Sequence, residues 1–565
     1  MIIEYIEEKL QKVLNDLNYD LQAKIIVSNR KELCDYQFDG CFAYAKIARK
    51  SPYEISEEIV SKFLEIYKDE EDFAKVEAVK PGFINFTLSN KFINKRLKDM
   101  FYKEKFNIHM PEKKKIIIDY GGPNIAKPLH VGHLRSAIVG ESIKRILKYF
   151  GHDVIGDVHL GDYGLQIGQV IYGLQKENIA KEDITIEILD EIYPKMSALC
   201  KEDEQVKEKC AEITKELQDG NTEYQEYFKI IREVSGKDIL KIYEYLDVHF
   251  DLWYGESDAY PYIDKVTEEL NKKNLLTTSN GAKIVEVSKP EDELEIPPLI
   301  YQKSNGAYLY GTTDLGTIYE RIEDFHPDNM IYITDMRQSL HFKQLFRVCE
   351  KLGYTDTITF EHLGFGTVNG SDGKPFKTRA GSAPKLDSLF KETKNAFLTS
   401  NPKNDNMTEE DLDILVNAII KFADLQNNRE KDYIFDLNKF SEVVGKTGPY
   451  ILYTYLRIAS ILEKATETCE LEEKDIYNKE DRDLRIKLLD LENTLKYSYS
   501  TRLPSVLANY LYDLCVNMNA FYEKNHINNL EDKKKKESWL FVLNLGNKVI
   551  KEMLALLSIK IPKKM

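Results

Sequence analysis

The stretch Lys115-Ile-Ile-Ile-Asp-Tyr-Gly-Gly-Pro-Asn-Ile-Ala-Lys-Pro-Leu-His-Val-Gly-His133 decides how the rest of this 565-residue chain is read. Its β-branched start, Lys115 to Tyr120, predicts a buried strand, and Gly121-Gly122-Pro123 ends it. Beyond the stretch, Ile143, Ile146, Leu147 and Phe150 recur at helical spacing, so the unit reads as strand, Gly/Pro turn, helix. A helix start presents unpaired N–H groups and the positive end of a dipole, which favours an anion. His130 and His133 stand three apart, on one side of the first turn, and both can reach one oxyanion. Gly132 leaves room for close approach, and Lys127 adds positive charge. The pattern points to a grip on the phosphates of a nucleotide.

Outward from this unit the pattern stays α/β. Strands are predicted at 153–158, 330–334 and 357–360, with helices at 131–150 and 338–352. Parallel strands joined by helices imply a doubly wound, Rossmann-type sheet, here in a catalytic domain over 111–385. A Glu/Lys-rich insertion at about 170–295, read as helical, splits that sheet. Residues 1–110 read as an α+β domain, with strand-like runs Ala23 to Val27 and Phe83 to Leu88 and an amphipathic helix from Ile55 to Tyr67. After about 385 strand signals fade, giving a helical connection at 386–440 and an all-α domain at 441–565. Leu503, Leu507, Tyr510, Leu511, Leu514, Met518 and Phe521 form one apolar stripe and Trp539 to Leu557 another, both read as bundle core. Lys533 to Lys536 reads as a solvated loop.

Composition excludes several classes. Hydrophobic content is 42% and charged content 31%, with no apolar run long enough to span a bilayer and no signal-peptide pattern at Met1 to Lys9, so the expected compartment is the cytoplasm. Seven cysteines without a Cys-x-x-Cys argue against a zinc knuckle or a disulfide framework, and no metal-ligand set stands out. The formal charge of −15 argues against nucleic acid, but Lys103 to Lys115, Lys127 to Lys148 and Lys374 to Arg379 are basic stripes on which a polyanion could dock.

A second chemical cluster, Gly373-Lys-Pro-Phe-Lys-Thr-Arg-Ala-Gly381, follows the last predicted strand of the sheet. Glycines flank Lys374, Lys377 and Arg379, which suits a loop that brings cations to a phosphate chain. With His130-Val-Gly-His133, the split sheet and the helical tail, this cluster makes the chain resemble class I aminoacyl-tRNA synthetases, and arginyl-tRNA synthetases in particular. The similar segments run through Asp35-Tyr-Gln37, Pro81 to Phe86, Pro123 to Arg135, Gly161 to Gly168, Phe250 to Ser257, Tyr308 to Asp314 and Thr447-Gly-Pro-Tyr450.

The resemblance implies an arginine–tRNA ligase that forms arginyl adenylate from arginine and ATP with Mg²⁺ and passes arginine to the terminal adenosine of its tRNA. His130, Gly132 and His133 would hold ATP, and Lys374 or Lys377 would neutralise its outer phosphates. The loop departs from the Lys-Met-Ser-Lys pattern of the class, and Lys127 stands where a compensating lysine is expected. A guanidinium is a planar fork of donors, so its pocket should offer carboxylates and neutral acceptors. By resemblance these are Asp119, Asn124, Tyr310, Asp314 and Gln338. Read without the resemblance, Asp119 only closes its strand and Asp314 caps a helix from about Leu315, and Asp314 could do both. The tail would meet the anticodon and residues 1–110 the outer corner of the tRNA, with Tyr450, Arg457 and Met565 as contacts and Tyr453, Tyr455, Tyr510 and Phe521 as further stacking surfaces. A monomer is expected. The rival readings are another nucleotidyltransferase sharing the histidine motif and an inactive RNA-binding paralogue.

Overall fold

The computed structural model describes residues 2–370, 373–374, 385–401, 407–467, 469–527 and 530–565. The chain divides into two compact units, Met1–His109 with Ile451–Ser500 and Asn509–Met553, and Met110–Tyr450 with Thr501–Ala508 and Leu554–Met565.

In the first unit, β1 (Ile25–Val27), β2 (Tyr36–Phe38), β3 (Phe73–Val79) and β4 (Phe83–Leu88) form an antiparallel sheet in the order β1-β2-β4-β3. The helix predicted at 55–67 runs from Pro52 to Ile66, started by the Ser51/Glu54 capping box. Helices from the carboxyl-terminal half of the chain complete this unit around a buried polar knot. Arg485, fully buried, donates to Asp481 Oδ1 (2.6 Å), Asn94 Oδ1 (2.8 Å) and Ser538 Oγ (2.9 Å), and the Trp539 indole donates to the other Asp481 oxygen (3.1 Å). Arg482 reaches Asp35 (2.6 Å), whose same oxygen accepts the Leu88 N–H (2.7 Å). Such charges are tolerated in a core only when each is paired and hydrogen-bonded. Tyr510 and Phe521 are buried core, as the stripe reading required. Lys533 to Lys536 form the first turn of a helix, Lys533–Leu556, where a loop was expected. Its start is marked by Asp532, whose carboxylate accepts the Lys535 N–H (3.1 Å), a capping signal that the lysine run hides.

The second unit is built on a parallel sheet of β5 (Lys115–Asp119), β6 (Asp153–Asp157), β10 (Asn329–Tyr332) and β11 (Thr359–His362), in the order β11-β10-β5-β6. The predicted strands are these four. Between them in sequence, β7 (Thr277–Ser279), β8 (Ala282–Val285) and β9 (Leu299–Gln302) form a separate antiparallel sheet, so the insertion is not helical throughout. Strand β7 is short and wholly exposed, and it carries no apolar alternation to announce it. A last pair, β12 (Val368–Asn369) with β13 (Tyr433–Ile434), lies partly beyond the point where strands were expected to stop. The helices that matter for the site are α1 (Val131–Tyr149), α2 (Tyr310–Phe325) and α3 (Ser339–Leu352).

Register places four polar side chains in one row at the carboxyl edge of the sheet. Asp119 is opposite both Asp157 and Tyr332, and Tyr332 is opposite His362. The chain leaves β5 toward β6 on one side and has β10 on the other, so a crevice opens there, where open α/β sheets bind ligands. Helix α1 packs tightly below it. A Cβ on Gly140 would fall 2.3 Å from ring carbons of Tyr120, so no larger residue allows this helix to lie against the strand end.

Candidate active site

Residues from all these edges line one cavity of about 700 Å³. At one end is the start of α1. His130 precedes its first turn, and its Nδ1 accepts the Gly132 N–H (3.0 Å), while His133 Nδ1 accepts the His130 N–H (3.2 Å). Both Nδ1 atoms are therefore acceptors, and the proton of each neutral ring is left on Nε2. The rings lie 3.9 Å apart, centroid to centroid. Burial, aided by Lys127, lowers the pKa of His130, and burial with the neighbouring His130 and Lys127 takes His133 down to about 3. The pair therefore offers neutral N–H donors beside a helix start, and an arriving anion would draw protons onto it. A Cβ on Gly132 would sit 2.8 Å from His130 Cε1, so this glycine makes room for the imidazole itself.

Ser136, one turn further on, locks the crevice. Its Oγ accepts the Gly121 N–H (2.8 Å) and donates to the Ile333 carbonyl (2.8 Å), tying the loops after β5 and β10 to α1. Arg135, buried, donates to the carbonyls of Gly366 (2.6 Å) and Lys431 (3.0 Å) and pairs with Asp424 (3.2 Å). A smaller cavity of about 200 Å³ continues from His130 and Gly132 past Arg135, Asp335 and Arg337 to Phe365–Val368.

The other end of the main cavity is acidic. Asp119, Glu256 and Asp314 line it with Asn124, Tyr310, Gln338, His159 and His341. Every residue assigned to arginine from the sequence is thus in this cavity. Asp119 is not free, however. Arg321 of α2, fully buried, donates through Nη2 to Asp119 Oδ2 and to Asp157 Oδ2, both at 2.6 Å. Burial pushes the Asp119 carboxyl up, with Arg321 opposing it. Asp119, Asp157 and His159 hold their ligand atoms within 4.8 Å of one another, and Arg321 supplies positive charge to this group. Burial works against a charge on His159, but Asp119 beside it prevails and its pKa rises. Asp314 is the fifth residue of α2, which begins at Tyr310 and not near Leu315, so Asp314 is not a cap. Its Oδ2 pairs with His341 Nε2 of α3 at 2.5 Å. Burial, with Asp314 and Asp162 nearby, raises Glu256 to about 7, although His159 pulls the other way.

Four residues of this end, Glu256, His159, His341 and Arg321, were not singled out in the sequence. Glu256 lies inside the segment Phe250 to Ser257, His341 in the stretch after Gln338, and Arg321 seven positions after Asp314 on one helix face.

The remaining assignments fall elsewhere. Lys127 is not among the residues lining the cavity; its ammonium lies 4.6 Å from the Tyr193 ring centroid. Lys374 sits in a turn after β12, where its carbonyl accepts the Gly370 N–H (2.8 Å), and Lys377 lies outside the described residues. Lys385 forms a bridge with His130, and the Leu386 N–H meets the Leu129 carbonyl (3.1 Å). Tyr450 is half-buried, with its N–H on Thr447 Oγ1 (3.3 Å). The Arg457 guanidinium lies 4.6 Å from the Tyr522 ring centroid, Met565 is half-buried, and Tyr453 is half exposed.

Residues 96–437 match the family model of the class I (R) tRNA synthetase catalytic domain, residues 451–565 the DALR anticodon binding domain, and residues 1–88 the arginyl tRNA synthetase N terminal domain. Two curated relatives, both called arginine–tRNA ligase, match over 100% of this chain and of their own. The one from Alkaliphilus oremlandii (strain OhILAs) is 40% identical, and one from Francisella tularensis subsp. holarctica is 38% identical. The crystal structure of arginyl-tRNA synthetase from Plasmodium falciparum superposes with a TM-score of 0.84 at 27% identity, covering 100% of this chain and 99% of that one. The Thermus thermophilus arginyl-tRNA synthetase shares the fold at a TM-score of 0.82 and 22% identity, with 100% of both chains covered.

Proposed function

The chain belongs to the arginyl-tRNA synthetases, class I enzymes that join arginine to tRNA at the expense of ATP, and from this premise we propose that the cavity between His130 and Asp314 is where arginine is activated. The observation that carries the assignment is that one cavity is lined both by two half-buried imidazole donors and by the carboxylates of Asp119, Glu256 and Asp314.

A carboxylate oxygen of arginine attacks the α-phosphorus of ATP, the bond from that phosphorus to the bridging oxygen breaks, and pyrophosphate leaves with the electron pair. No side-chain nucleophile takes part, so the protein contributes alignment and donors where negative charge grows. His130 and His133 direct Nε2–H groups at the phosphates from the positive end of α1, with Gly132 keeping the first ring in place. The adjoining 200 Å³ space along Phe365–Val368 suits the nucleotide. Among the described residues lining that space the carboxylate of Asp335 is already held by Arg337 (2.8 and 2.7 Å), so Mg²⁺ would arrive on the phosphate oxygens rather than on a protein carboxylate. Lys374 and Lys377 act on the outer phosphates, and Lys127 acts through the field it imposes on both imidazoles. In the second step the ribose hydroxyl of the terminal adenosine attacks the carbonyl carbon of the mixed anhydride, its proton is lost, and AMP leaves.

At the acidic end the guanidinium meets Asp314, Glu256 and the outer oxygen of Asp119, with Asn124, Tyr310 and Gln338 as neutral partners. Arg321 sets the depth of the socket by taking the inner oxygen of Asp119. For tRNA we assign residues 1–110 to its outer corner and 441–565 to the anticodon, with Tyr450, Arg457 and Met565 as contacts; a cytoplasmic monomer is the corresponding cellular form. The test is His133→Ala in aminoacylation. Losing one donor to developing phosphate charge lowers kcat roughly 100- to 1,000-fold while KM for arginine stays within about threefold. A variant with parental kcat contradicts the assignment.

A further inference from the structure

The pairing of Asp314 with His341 deepens the arginine site. The two side chains come from different helices, α2 and α3, and meet on the cavity wall, each about a quarter exposed (25% and 29%). The contact is a close one, 2.5 Å, between an imidazole nitrogen and a carboxylate, the pairing of donor and charged acceptor that makes a strong hydrogen bond. A carboxylate so held presents one oxygen to the imidazole and keeps the other for a ligand. The imidazole can carry one proton, on Nε2, and still donate to Asp314; a second, on Nδ1, makes it a cation that competes with the guanidinium for the same carboxylate.

We propose that His341 is a positioning residue for the guanidinium socket: its Nε2–H aims the Asp314 carboxylate at the substrate, and the ring gives up its Nδ1 proton to solvent when that cation enters. The inference rests on the assignment of Asp314 to arginine. Two cations about 5 Å apart at an effective dielectric of about 20 weaken proton affinity roughly a hundredfold. Burial disfavours the charge on His341, yet the bond and charge of Asp314 hold its pKa above the ordinary value in the empty site.

The groups that face this pair come from several elements. Glu256, on the short helix Glu256–Ala259, senses Asp314 and titrates near 7; His159, after β6, senses it too. His362 of β11 bonds Thr334 Oγ1 (2.9 Å) and is held down to about 4 by burial, Arg429 and His341, so it stays neutral. Phe342 packs edge-on to His341, and Arg337 is occupied by Asp335. Glu256 is thus the other group whose protonation at acid pH weakens arginine binding, and the test must separate the two.

The experiment measures KM and kcat for arginine in aminoacylation between pH 5.5 and 8.5, for the parent and for His341→Gln, His341→Ala, Glu256→Gln and Asp314→Asn. Glutamine supplies an amide N–H to Asp314 but no titration. The expected results are a parental KM that falls as pH rises through the neutral range, and a His341→Gln profile that loses much of this fall. Glu256→Gln should retain a fall that His341→Gln lacks. His341→Ala should raise KM for arginine about tenfold at pH 8 with kcat within about threefold, and glutamine should restore part of that loss. A His341→Gln profile parallel to the parent's overturns the proposal, as does an alanine variant that raises KM for ATP as much as for arginine. Asp314→Asn keeps the two levels apart. If it leaves KM for arginine unchanged, the arginine reading of Asp314 fails; if it raises KM while His341→Gln behaves as the parent, only the proton exchange fails.

Discussion

Replacing Arg321 by methionine tests the clamp on which the acidic end is built. The guanidinium has no exposure, and one of its nitrogens serves both Asp119 and Asp157 at 2.6 Å, with Asp157 itself fully buried. Methionine fills most of the volume but leaves two carboxylates facing each other without a cation. Removing one partner of a buried ionic set costs about 3–5 kcal/mol, because the remaining charge is stranded and must take up a proton. In a unit of this size that loss lowers Tm by roughly 4–7 °C. Thermal unfolding followed by fluorescence at pH 7.5 reads it directly. Adding Asp157→Asn to the methionine variant removes one stranded charge and should recover more than half of the loss, a coupling that only a direct interaction produces. Free arginine should also stabilise the methionine variant more than the parent, since its guanidinium reaches the carboxylate that Arg321 has left. A variant melting within 1 °C of the parent, or a double variant no better than the single, refutes the reasoning.

Glu320 gives a stability slope with pH. It is buried, one of its oxygens has no hydrogen-bond partner, and burial raises it from 4.5 to about 7 against the pull of Arg321. Its folded pKa lies above its unfolded one, so its contribution to stability is complete below about 4.5 and is lost as pH rises through about 7. Glu320→Gln should flatten that part of the Tm profile between pH 5 and 8.5 and melt higher than the parent at pH 8; an unchanged slope would count against it. Gly140→Ala gains up to about 1 kcal/mol of helix propensity but forces α1 away from Tyr120, for a net loss of about 1–3 kcal/mol and a lower kcat. A stabilised alanine variant with full activity would contradict the packing described. Glu256→Gln should raise KM for arginine several-fold at pH 8 and leave KM for ATP unaltered, because the proposal gives Glu256 to the guanidinium and the phosphates to the histidines; equal effects on both would contradict that division.

How much of this was legible in the chain depends on the range of the interaction. The strand Lys115–Asp119, the glycine turn and α1 announce themselves through β-branching, turn chemistry and helical spacing, all local signals. The histidine pair is legible for the same reason, being three residues apart on a helix start. The residues proposed for arginine, such as Asp119 and Asp314, were reached by resemblance, and their cavity by folding, because strand register and α2 bring together positions almost 200 apart in the chain. What the sequence hid were partnerships. Nothing local says that Arg321 takes one oxygen of Asp119 or that His341 takes one of Asp314, since both depend on which helix lands beside which strand. The exposed strand Thr277–Ser279 escaped for the opposite reason, having neither alternation nor burial to mark it. The helix start at Lys533 shows how a charge run can mask a cap.

The most direct test of the division of labour is crystallography of the protein with arginine and a non-hydrolysable ATP analogue. The account predicts guanidinium density between Asp314, Glu256 and the outer oxygen of Asp119, and triphosphate density against His130 and His133 Nε2. Guanidinium density at the histidine end, or at neither end while the analogue is bound, would contradict it.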